Sequence, residues 1–591
     1  MKRLYIALLL STTCLINAMA QATLQTSDAI TGFSAIPQET TYVHYNAPLL
    51  LTGEYLYYKL YCLDTQTKQA TSISKIGYVE LIGSDLKTVF KHKLLLKDGV
   101  GAGDFFVPPS LPSGNYKLLG YTQWMTNSAK KNFFQQDISL INPYVENQSA
   151  ILAPKVASSQ TINDLENTMP PVPSETKSSL VALELSSKQY GTRNLVSASL
   201  SSLINENGYG NYSISVRKVD EISGIPNRIQ AAFDGAVNAE NGKNKPNIGT
   251  LIALPELRGE LISGKVMRNG SPVPNKEIAF SIPGGNYLFE IAETDASGTF
   301  YINLDSSYDQ THAYAQVLDP EAASYEILFF QAPSVATKTL DFYQFTLQKS
   351  DQEKLLKRSI YNQVENGYFT VKTDSVLPAP MVERFYGKPS VSYNLDDYTR
   401  FPTIRETLLE VIDNAWVKNV GDGKSIFQVR AQDNSFDINA LPLVLVDGVY
   451  IQDHNDFVDY NARKVQRVHI LKDQYYFGSK VYQGVLDFET IKNDYENLVY
   501  KDYVKKVELF KPQPQKDYYK PIYTLDNEDK TKRIPDFRNQ LLWMPNVRMH
   551  TSEVAFTFYT SDNVGTYVVE VEGFTDSGTP VSISESFVVK E

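Results

Sequence analysis

The sequence predicts a mainly β protein, a multi-domain string of immunoglobulin-like β-sandwiches with one α+β domain. Tyr and Phe are abundant, at 38 and 28 residues against 3 Trp, and both residue types favour strands. Short runs that alternate apolar and polar residues recur between turns rich in Gly, Pro, Asn and Asp, a pattern typical of sandwiches. The apolar spacing changes to a helical one at Leu356, Ile360 and Val364, which marks a different kind of unit.

The first 20 residues form a predicted export signal. Lys2 and Arg3 precede an apolar run, and Ala18–Ala20 supplies small residues for a cleavage site. Cleavage would make Gln21 the mature N-terminus, and the loss of two basic residues would shift the formal net charge from -11 to -13. We therefore expect an exported protein that is periplasmic or associated with the outer membrane.

Cysteine usage predicts domains that hold together without disulfides. Cys14 lies inside the signal and lacks the pattern of a lipoprotein signal, which leaves Cys62 as the one cysteine of the mature chain. A lone cysteine cannot form an internal disulfide. Because Cys62 lies in a strand-like run, we predict a small buried apolar residue and not a nucleophile.

Composition divides the chain into eight predicted segments. Strand-like runs fill most of the chain, a Ser-, Pro- and Thr-rich stretch reads as a linker, and a region poor in large apolar residues reads as a long loop. The segments are a signal peptide at 1–20, a first sandwich at 21–148, the linker at 149–178, a second β domain with the long loop at 179–250, a third sandwich at 251–350, a helical or irregular connector at 351–394, the α+β domain at 395–495 and a C-terminal β-domain at 496–591.

The helical spacings allow more detailed predictions. The connector helix can end at Gly367. In the α+β domain, Thr403 and Glu406 form a capping box that opens a helix over Thr403–Trp416. Four successive apolar residues, Leu443–Val446, predict a strand buried on both faces and central in a small sheet. We expect the Asp447–Gly448 turn to leave at the sheet edge, with the Asp carboxylate accepting local amide bonds.

Two of the β units resemble known modules. Gly53–Lys59 and Pro112–Leu118 resemble the second macroglobulin-type domain of the alpha-2-macroglobulin family. Gly264–Val266, Pro272–Pro274 and Thr294–Phe300 resemble the carboxypeptidase regulatory-like β-sandwich. The resemblance implies non-catalytic β-sandwiches at both places.

The second half of the chain carries a more specific resemblance. Pro442–Val449, Val465–Asp473 and Gly484–Leu486 resemble the plug domain of TonB-dependent outer-membrane receptors, and Leu542–Val547 with Phe556–Tyr559 resembles the β-domain that closes such proteins. The combination is similar to exported proteins of the Bacteroidetes group that carry a plug-like domain without a barrel. Only 101 residues follow Thr490, too few for the serial strands of a receptor barrel. No apolar run after the signal is long enough for a membrane-spanning helix.

No catalytic, cofactor-binding or metal-binding residue is predicted. Cys62 and Gln66 lack the context of a thioester, and no histidine has the spacing of a zinc site. Ser72 and Lys75 have a Ser-x-x-Lys spacing, but in strand-like sequence, so we read no nucleophile there. His469 reads as a packed strand residue. The turns at Asp295, Asp447 and Asp562 read as structural, because none has the clustered carboxylates of a calcium loop.

The remaining function classes are binding functions. The acidic pI of about 5.3 argues against nucleic acid, whose binding depends on Lys and Arg contacts to phosphates. The favoured hypothesis is a non-enzymatic envelope protein that binds an outer-membrane protein or a TonB-dependent transport complex, since sandwich loops and edges are common docking surfaces. The alternatives are a ligand- or glycan-capture module, or a peptidase-inhibitor-like macroglobulin relative without a thioester.

Overall fold

The computed structural model describes residues 21–24, 26–128, 133–152, 175–225, 246–331, 335, 340–432, 440–495, 501–524 and 533–591. The predicted signal, most of the predicted linker and most of the predicted long loop lie outside these residues. Within them the protein is mainly β and consists of many small sheets, which confirms the predicted fold class.

The first sandwich packs a three-stranded sheet, β2-β4-β7, on a five-stranded sheet, β3-β9-β8-β5-β6. Aromatic and aliphatic side chains of both sheets form one buried core. The helix that precedes it is capped by Thr26, whose hydroxyl accepts from the Ala29 N–H at 3.1 Å. The elements are β1 (Gln21–Thr23), α1 (Ser27–Ala35), β2 (Glu39–Tyr45), β3 (Leu49–Leu51), β4 (Tyr55–Asp64), β5 (Ile76–Gly83), β6 (Thr88–Leu95), β7 (Val100–Phe106), β8 (Gly114–Tyr121) and β9 (Phe134–Ile141).

Four strands follow that cannot bury both of their faces by themselves. They are β10 (Val181–Leu185), β11 (Gln189–Tyr190), β12 (Leu195–Ser202) and β13 (Gly210–Lys218). In β13, Tyr212, Ile214 and Val216 are fully buried. Strands near the C-terminal end of the chain pair with β11, β12 and β13 and complete their sheets.

The third sandwich packs the sheet β16-β15-β19, to which β21 adds on β15, against a sheet built on β18-β17-β20. Phe280 and Phe300 lie at the centre of its core. Strand β14 pairs with β1 and so ties this region to residues Gln21–Thr23. The elements are β14 (Leu251–Ala253), β15 (Glu260–Arg268), β16 (Ser271–Pro272), β17 (Glu277–Ile282), β18 (Leu288–Glu293), β19 (Thr299–Leu304), β20 (His312–Val317) and β21 (Glu326–Phe329).

The connector contains one long helix, α2 (Gln352–Gly367), and a short strand, β22 (Ser375–Val376). The helix ends at Gly367, as its spacing predicts. Its buried residues are Ser359 and Asn362, whereas the apolar Leu356 and Ile360 are 60% and 48% exposed. The apolar spacing therefore located the helix but not the face that it buries.

The α+β domain is a five-stranded sheet, β23-β28-β29-β26-β27, with a hairpin, β24-β25, and two short helices. All four residues of β26 are completely buried, as predicted, with β29 and β27 on its two sides. The elements are β23 (Val391–Asn394), α3 (Ile404–Glu410), β24 (Ala415–Gly421), β25 (Lys424–Val429), β26 (Leu443–Val446), β27 (Val449–Tyr450), α4 (Asn455–Val458), β28 (Val465–Phe477) and β29 (Lys480–Thr490).

Two details of this domain correct the sequence expectations. Thr403 caps α3, accepting from the Glu406 N–H at 3.2 Å, but the helix stops at Glu410 and Trp416 lies in β24. The Asp413–Asn414 pair favours a turn there. The Asp447 carboxylate accepts from the distant Thr490 N–H and hydroxyl at 2.7 and 2.6 Å, and not from local amides.

The last strands return to sheets that began much earlier. β30 (Lys505–Glu508) extends the third sandwich beside β20, and β31 (Lys516–Asp517) pairs with β22. The remaining strands are β32 (Gln540–Met549), β33 (Glu553–Tyr559), β34 (Gly565–Thr575) and β35 (Pro580–Val589). They complete the sheets β10-β12-β33 and β11-β35-β34-β13-β32, which we call the composite sandwich. This differs from the expectation of separate β domains at 179–250 and 496–591, because strands from both share sheets and one core.

Three buried tyrosines share one arrangement that fits the immunoglobulin-like description. Each hydroxyl donates to the backbone carbonyl four residues earlier, the bond of a tyrosine corner. The pairs are Tyr116 to Pro112 at 2.8 Å, Tyr212 to Gly208 at 2.7 Å and Tyr567 to Asn563 at 2.6 Å.

Buried polar contacts fix the first sandwich against the composite sandwich. Lys59 has no exposed surface, and its ammonium donates to the Asn211 Oδ1 at 2.5 Å and the Tyr212 carbonyl at 3.0 Å. Burial lowers the pKa of Lys59 well below its usual value. The Tyr42 hydroxyl donates to Glu572 at 2.7 Å. Since such groups cost free energy when they lose their partners, this interface holds the two sandwiches in a defined relation.

Candidate binding cleft

A cavity of about 1140 Å³ lies where the first sandwich, the composite sandwich and helix α2 meet. No single unit contains it. Its lining residues fall within 46–57, 106–109 and 144 of the first sandwich, 217–222 at the end of β13 and just after it, 354–376 of α2 and the chain that follows, 516–519 at β31, and 537–543 with 563 of the composite sandwich. We call this cavity the cleft.

Arg358 joins the three units at the base of the cleft. Its guanidinium makes two bonds of 2.8 Å to the two carboxylate oxygens of Glu54, and a third of 2.7 Å to Asp220. It also donates to the Leu49 carbonyl at 3.1 Å. The pKa of Arg358 is raised despite its burial, because Asp220 and Glu54 favour the charged form. This fork geometry holds α2 against the first sandwich and the exit of β13.

The rest of the inner face of α2 is held by amides. Asn362 and Asn366 donate to the carbonyls of Thr52 and Gly53 at 2.8 and 3.0 Å. Gly53 has φ +91°, and a Cβ there would lie 2.6 Å from the Asn366 Nδ2. The turn therefore needs glycine both for its backbone conformation and for the close approach of the helix.

The opposite end of α2 is fixed to the composite sandwich. The Glu365 carboxylate accepts from the Phe537 N–H and from the Lys372 ammonium, each at 2.6 Å. The Tyr361 ring stacks on Phe537 with centroids 4.3 Å apart and planes at 11°. These contacts make the helix wall of the cleft a rigid one.

A row of aromatic rings forms the facing wall. Trp543 stacks on Tyr57 at 6.0 Å between centroids, Tyr57 stacks on Tyr55 at 5.7 Å, and Tyr55 meets Phe106 at 5.2 Å. Tyr518 packs edge-on against Tyr57 at 5.0 Å. Residues 55 and 57 alternate along β4, so both rings lie on the same face of the strand. We call Trp543, Tyr57, Tyr55 and Phe106 the aromatic row.

The polar atoms of the aromatic row are donors without partners. The Tyr55 and Tyr57 side chains are half-buried, and their hydroxyls make no hydrogen bond to any residue that the structure describes. The Trp543 indole N–H is also without a partner there, but it is buried, and Trp543 is only 3% exposed. Burial, and then the nearby carboxylates Asp104 and Asp374, raise the pKa of both tyrosines. Both phenols therefore stay neutral and able to donate at ordinary pH.

The residues that the sequence singled out for chemistry lie elsewhere. Cys62 is fully buried, as predicted, and burial together with Glu39 raises the pKa of its thiol, so it is not a reactive thiolate. His469 contacts Ser392 at 2.7 Å and lies 3.5 Å from Glu489. Ser72 and Lys75 lie in the loop before β5, where the Lys75 N–H donates to the Glu256 carbonyl.

The aspartate turns have structural partners. The Asp295 carboxylate accepts from the Ser297 and Thr299 N–H groups at 2.8 and 3.0 Å, and Asp562 pairs with Arg193 at 2.7 and 2.6 Å. None of these residues lines the cleft. Within the described ranges there is no group of three or more His, Cys, Asp or Glu side chains placed to hold a metal ion, and no helix there is both long and apolar enough to cross a membrane.

Sequence reasoning missed the cleft because its walls come from eight separate stretches of chain. Tyr55, Tyr57 and Trp543 stood in segments read only as strands. The one local signal was the alternation Tyr55-Leu56-Tyr57, which gives one aromatic face and one fully buried apolar residue. That alternation does not indicate which other part of the chain lies opposite the aromatic face.

No protein-family model and no curated protein matches this sequence. Among solved structures, the chain is similar to a mutant alpha-2-macroglobulin from Salmonella, at 9% identity over 94% of this chain and 39% of that one, with a TM-score of 0.23. It is similar to trypsin-activated alpha-2-macroglobulin from Escherichia coli at 9% identity, over 94% and 42% of the two chains, with a TM-score of 0.23.

A third similarity is to dimeric latent PorU from Porphyromonas gingivalis, at 12% identity over 50% of this chain and 34% of that one, with a TM-score of 0.14. The chain thus spans about two fifths of the length of these macroglobulins. TM-scores of this size carry no argument about fold or function.

Proposed function

We propose that this chain is a non-enzymatic exported protein of the cell envelope, and that its cleft binds a segment of another protein. The partner is an outer-membrane protein or a component of a TonB-dependent transport complex. The observation that carries the proposal is the aromatic row: rigid rings with unpartnered donors that line a cavity whose other walls are fixed.

The chemistry of the wall supports a polypeptide ligand. Tyr and Trp are enriched at protein interfaces, where they supply contact area and hydrogen bonds with few rotatable bonds to order. The cavity of about 1140 Å³ exceeds the usual range of about 300–1,000 Å³ for small-molecule sites. A segment of several residues would fill it better than a metabolite would.

Site-specific photo-crosslinking tests this proposal. A benzophenone amino acid replaces Phe369, which lines the cleft and is 58% exposed. The matched control carries it at Tyr476, which is 71% exposed on β28 and lies outside the lining. Irradiation of intact envelopes should give a discrete adduct from position 369 only, in which mass spectrometry finds peptides of a second protein. Tyr57→Ala in the same chain should remove that adduct.

Two results would count against a protein ligand. Equal adducts from both positions, in a chain that keeps its circular dichroism spectrum, would show that the cleft is not a specific site. An adduct from position 369 whose added mass contains no foreign peptide and is degraded by periodate would favour the glycan-capture alternative.

A further inference from the structure

We infer that the cleft takes a proline-rich segment in the polyproline II conformation. The inference rests on the proposed function, since it names the kind of polypeptide that the cleft would hold. Polyproline II chains have no internal hydrogen bonds, so all of their carbonyl groups are free to accept. Aromatic-lined grooves are a recurring way of binding them.

The hydrogen-bonding groups of the cleft match such a ligand. The half-buried Tyr55 and Tyr57 offer two hydroxyl donors that make no bond to a described residue, whereas the Trp543 indole N–H is buried out of reach of a ligand and contributes only its ring to the wall. On the helix wall the Tyr361 hydroxyl is also without a partner there, although its ring is stacked on Phe537. A ligand rich in carbonyl acceptors and poor in N–H donors satisfies this set. Proline supplies a carbonyl and no N–H.

The spacing of the row agrees with the same ligand. Successive centroids of the aromatic row lie 6.0, 5.7 and 5.2 Å apart. A polyproline II chain advances about 3.1 Å per residue, so two residues cover about 6.2 Å. Alternate residues of the ligand can therefore meet successive rings, and a stiff ligand loses less conformational entropy when it does so.

The charged groups of the cleft are mostly used within the chain, which disfavours a charged ligand. Salt bridges pair the lining residues Arg358 with Glu54 and Asp220, Lys372 with Glu365, Arg538 with Asp536, Lys516 with Asp104, Lys218 with Glu221 and Arg217 with Glu570. Lys357, at the rim, contacts the Tyr361 ring. An acidic or basic peptide would compete with these pairs, whereas a neutral one does not.

The test is a fluorescence anisotropy titration of the full mature chain with defined ligands. The labelled peptides are (Ala-Pro-Pro)₄ and its flexible counterpart (Ala-Gly-Gly)₄, and cellohexaose is the competing glycan. The variants Tyr55→Phe and Tyr57→Phe each remove one donor and keep the ring, and Tyr476→Phe is the exposed control. A thermal melt of each variant shows that it is folded.

We expect the proline peptide to bind at least about tenfold more tightly than the glycine peptide. Tyr55→Phe and Tyr57→Phe should each weaken its binding about fivefold, the effect of one lost net hydrogen bond, and Tyr476→Phe should not change it. Equal binding of both peptides overturns the inference and leaves the proposed function standing. Binding of cellohexaose without either peptide overturns both. If no ligand binds, the polyproline inference is wrong, and the crosslinking experiment alone then decides the proposed function.

Discussion

Replacing Arg358 by Met should loosen helix α2 from the first sandwich. The substitution removes three ionic hydrogen bonds and leaves Glu54 and Asp220, each 13% exposed, without their cation. Breaking a buried pair by removing one partner costs about 3–5 kcal/mol. Because these side chains keep some access to water, which weakens the effect, we expect about 2–4 kcal/mol.

Hydrogen exchange measured by mass spectrometry is the appropriate assay, because a protein of several units does not unfold in one step. Amides of α2 and of the Leu49–Glu54 turn should exchange on the order of a hundredfold faster in Arg358→Met. Adding Glu54→Gln and Asp220→Asn removes the stranded charges and should restore part of the protection. Lys357→Met, on the same helix but exposed, is the control and should change little.

Two results would refute this reasoning. Exchange rates of α2 amides within about threefold of the wild type would mean that the ion pairs of Arg358 with Glu54 and Asp220 contribute no more than an exposed surface bridge. Equal loss of protection across the α+β domain would mean that Arg358 acts on the whole chain and not at the junction.

Three further predictions concern other units. Val444→Asp places a charge in a completely buried strand and should cost on the order of several kcal/mol. Limited proteolysis should then cut the α+β domain while the first sandwich and the composite sandwich stay resistant, and uniform digestion would contradict this. Burial and the neighbouring Glu260 raise the pKa of Glu256 from 4.5 to about 8. Between these pH values the folded protein holds a proton that the unfolded protein releases, so the stability that this group contributes falls as pH rises. Glu256→Gln should therefore flatten the decline of the melting temperature over this pH range, and an unchanged slope would refute the prediction. Cys62→Ser should leave cleft binding intact, since Cys62 is buried outside the cleft, and a folded Ser variant without binding would show that the thiol matters.

What the sequence predicted well was local. Thr403 caps a helix because its hydroxyl reaches an amide three residues away, and Leu443–Val446 forms a buried strand because its own side chains require it. Both signals lie within a few residues of the structure that they specify.

What the sequence did not predict depends on distant partners. Leu356 and Ile360 suggested the wrong face of α2, because its buried face is fixed by Glu54, Thr52 and Gly53, some three hundred residues away. The closure of β10–β13 by β32–β35 likewise leaves no local pattern, since the alternation along a strand says nothing of which strand lies beside it. The cleft depends on both of these features, because one wall is helix α2 and another is built from strands that are distant in sequence.

The composite sandwich also sets the order in which the chain can mature. Ser213 donates to the Glu572 carbonyl across 359 residues of sequence. A ribosome makes β12 and β13 long before their neighbours β33, β34 and β32 exist, so these strands wait with open hydrogen-bonding edges, a state prone to aggregation. The cleft, whose walls include residues 537–543, is complete only after the last strands have been made and paired. A chain that lost its final 50 or so residues would lack β33–β35 and most of β32, so the composite sandwich would be incomplete and the cleft would lose Trp543 from its wall.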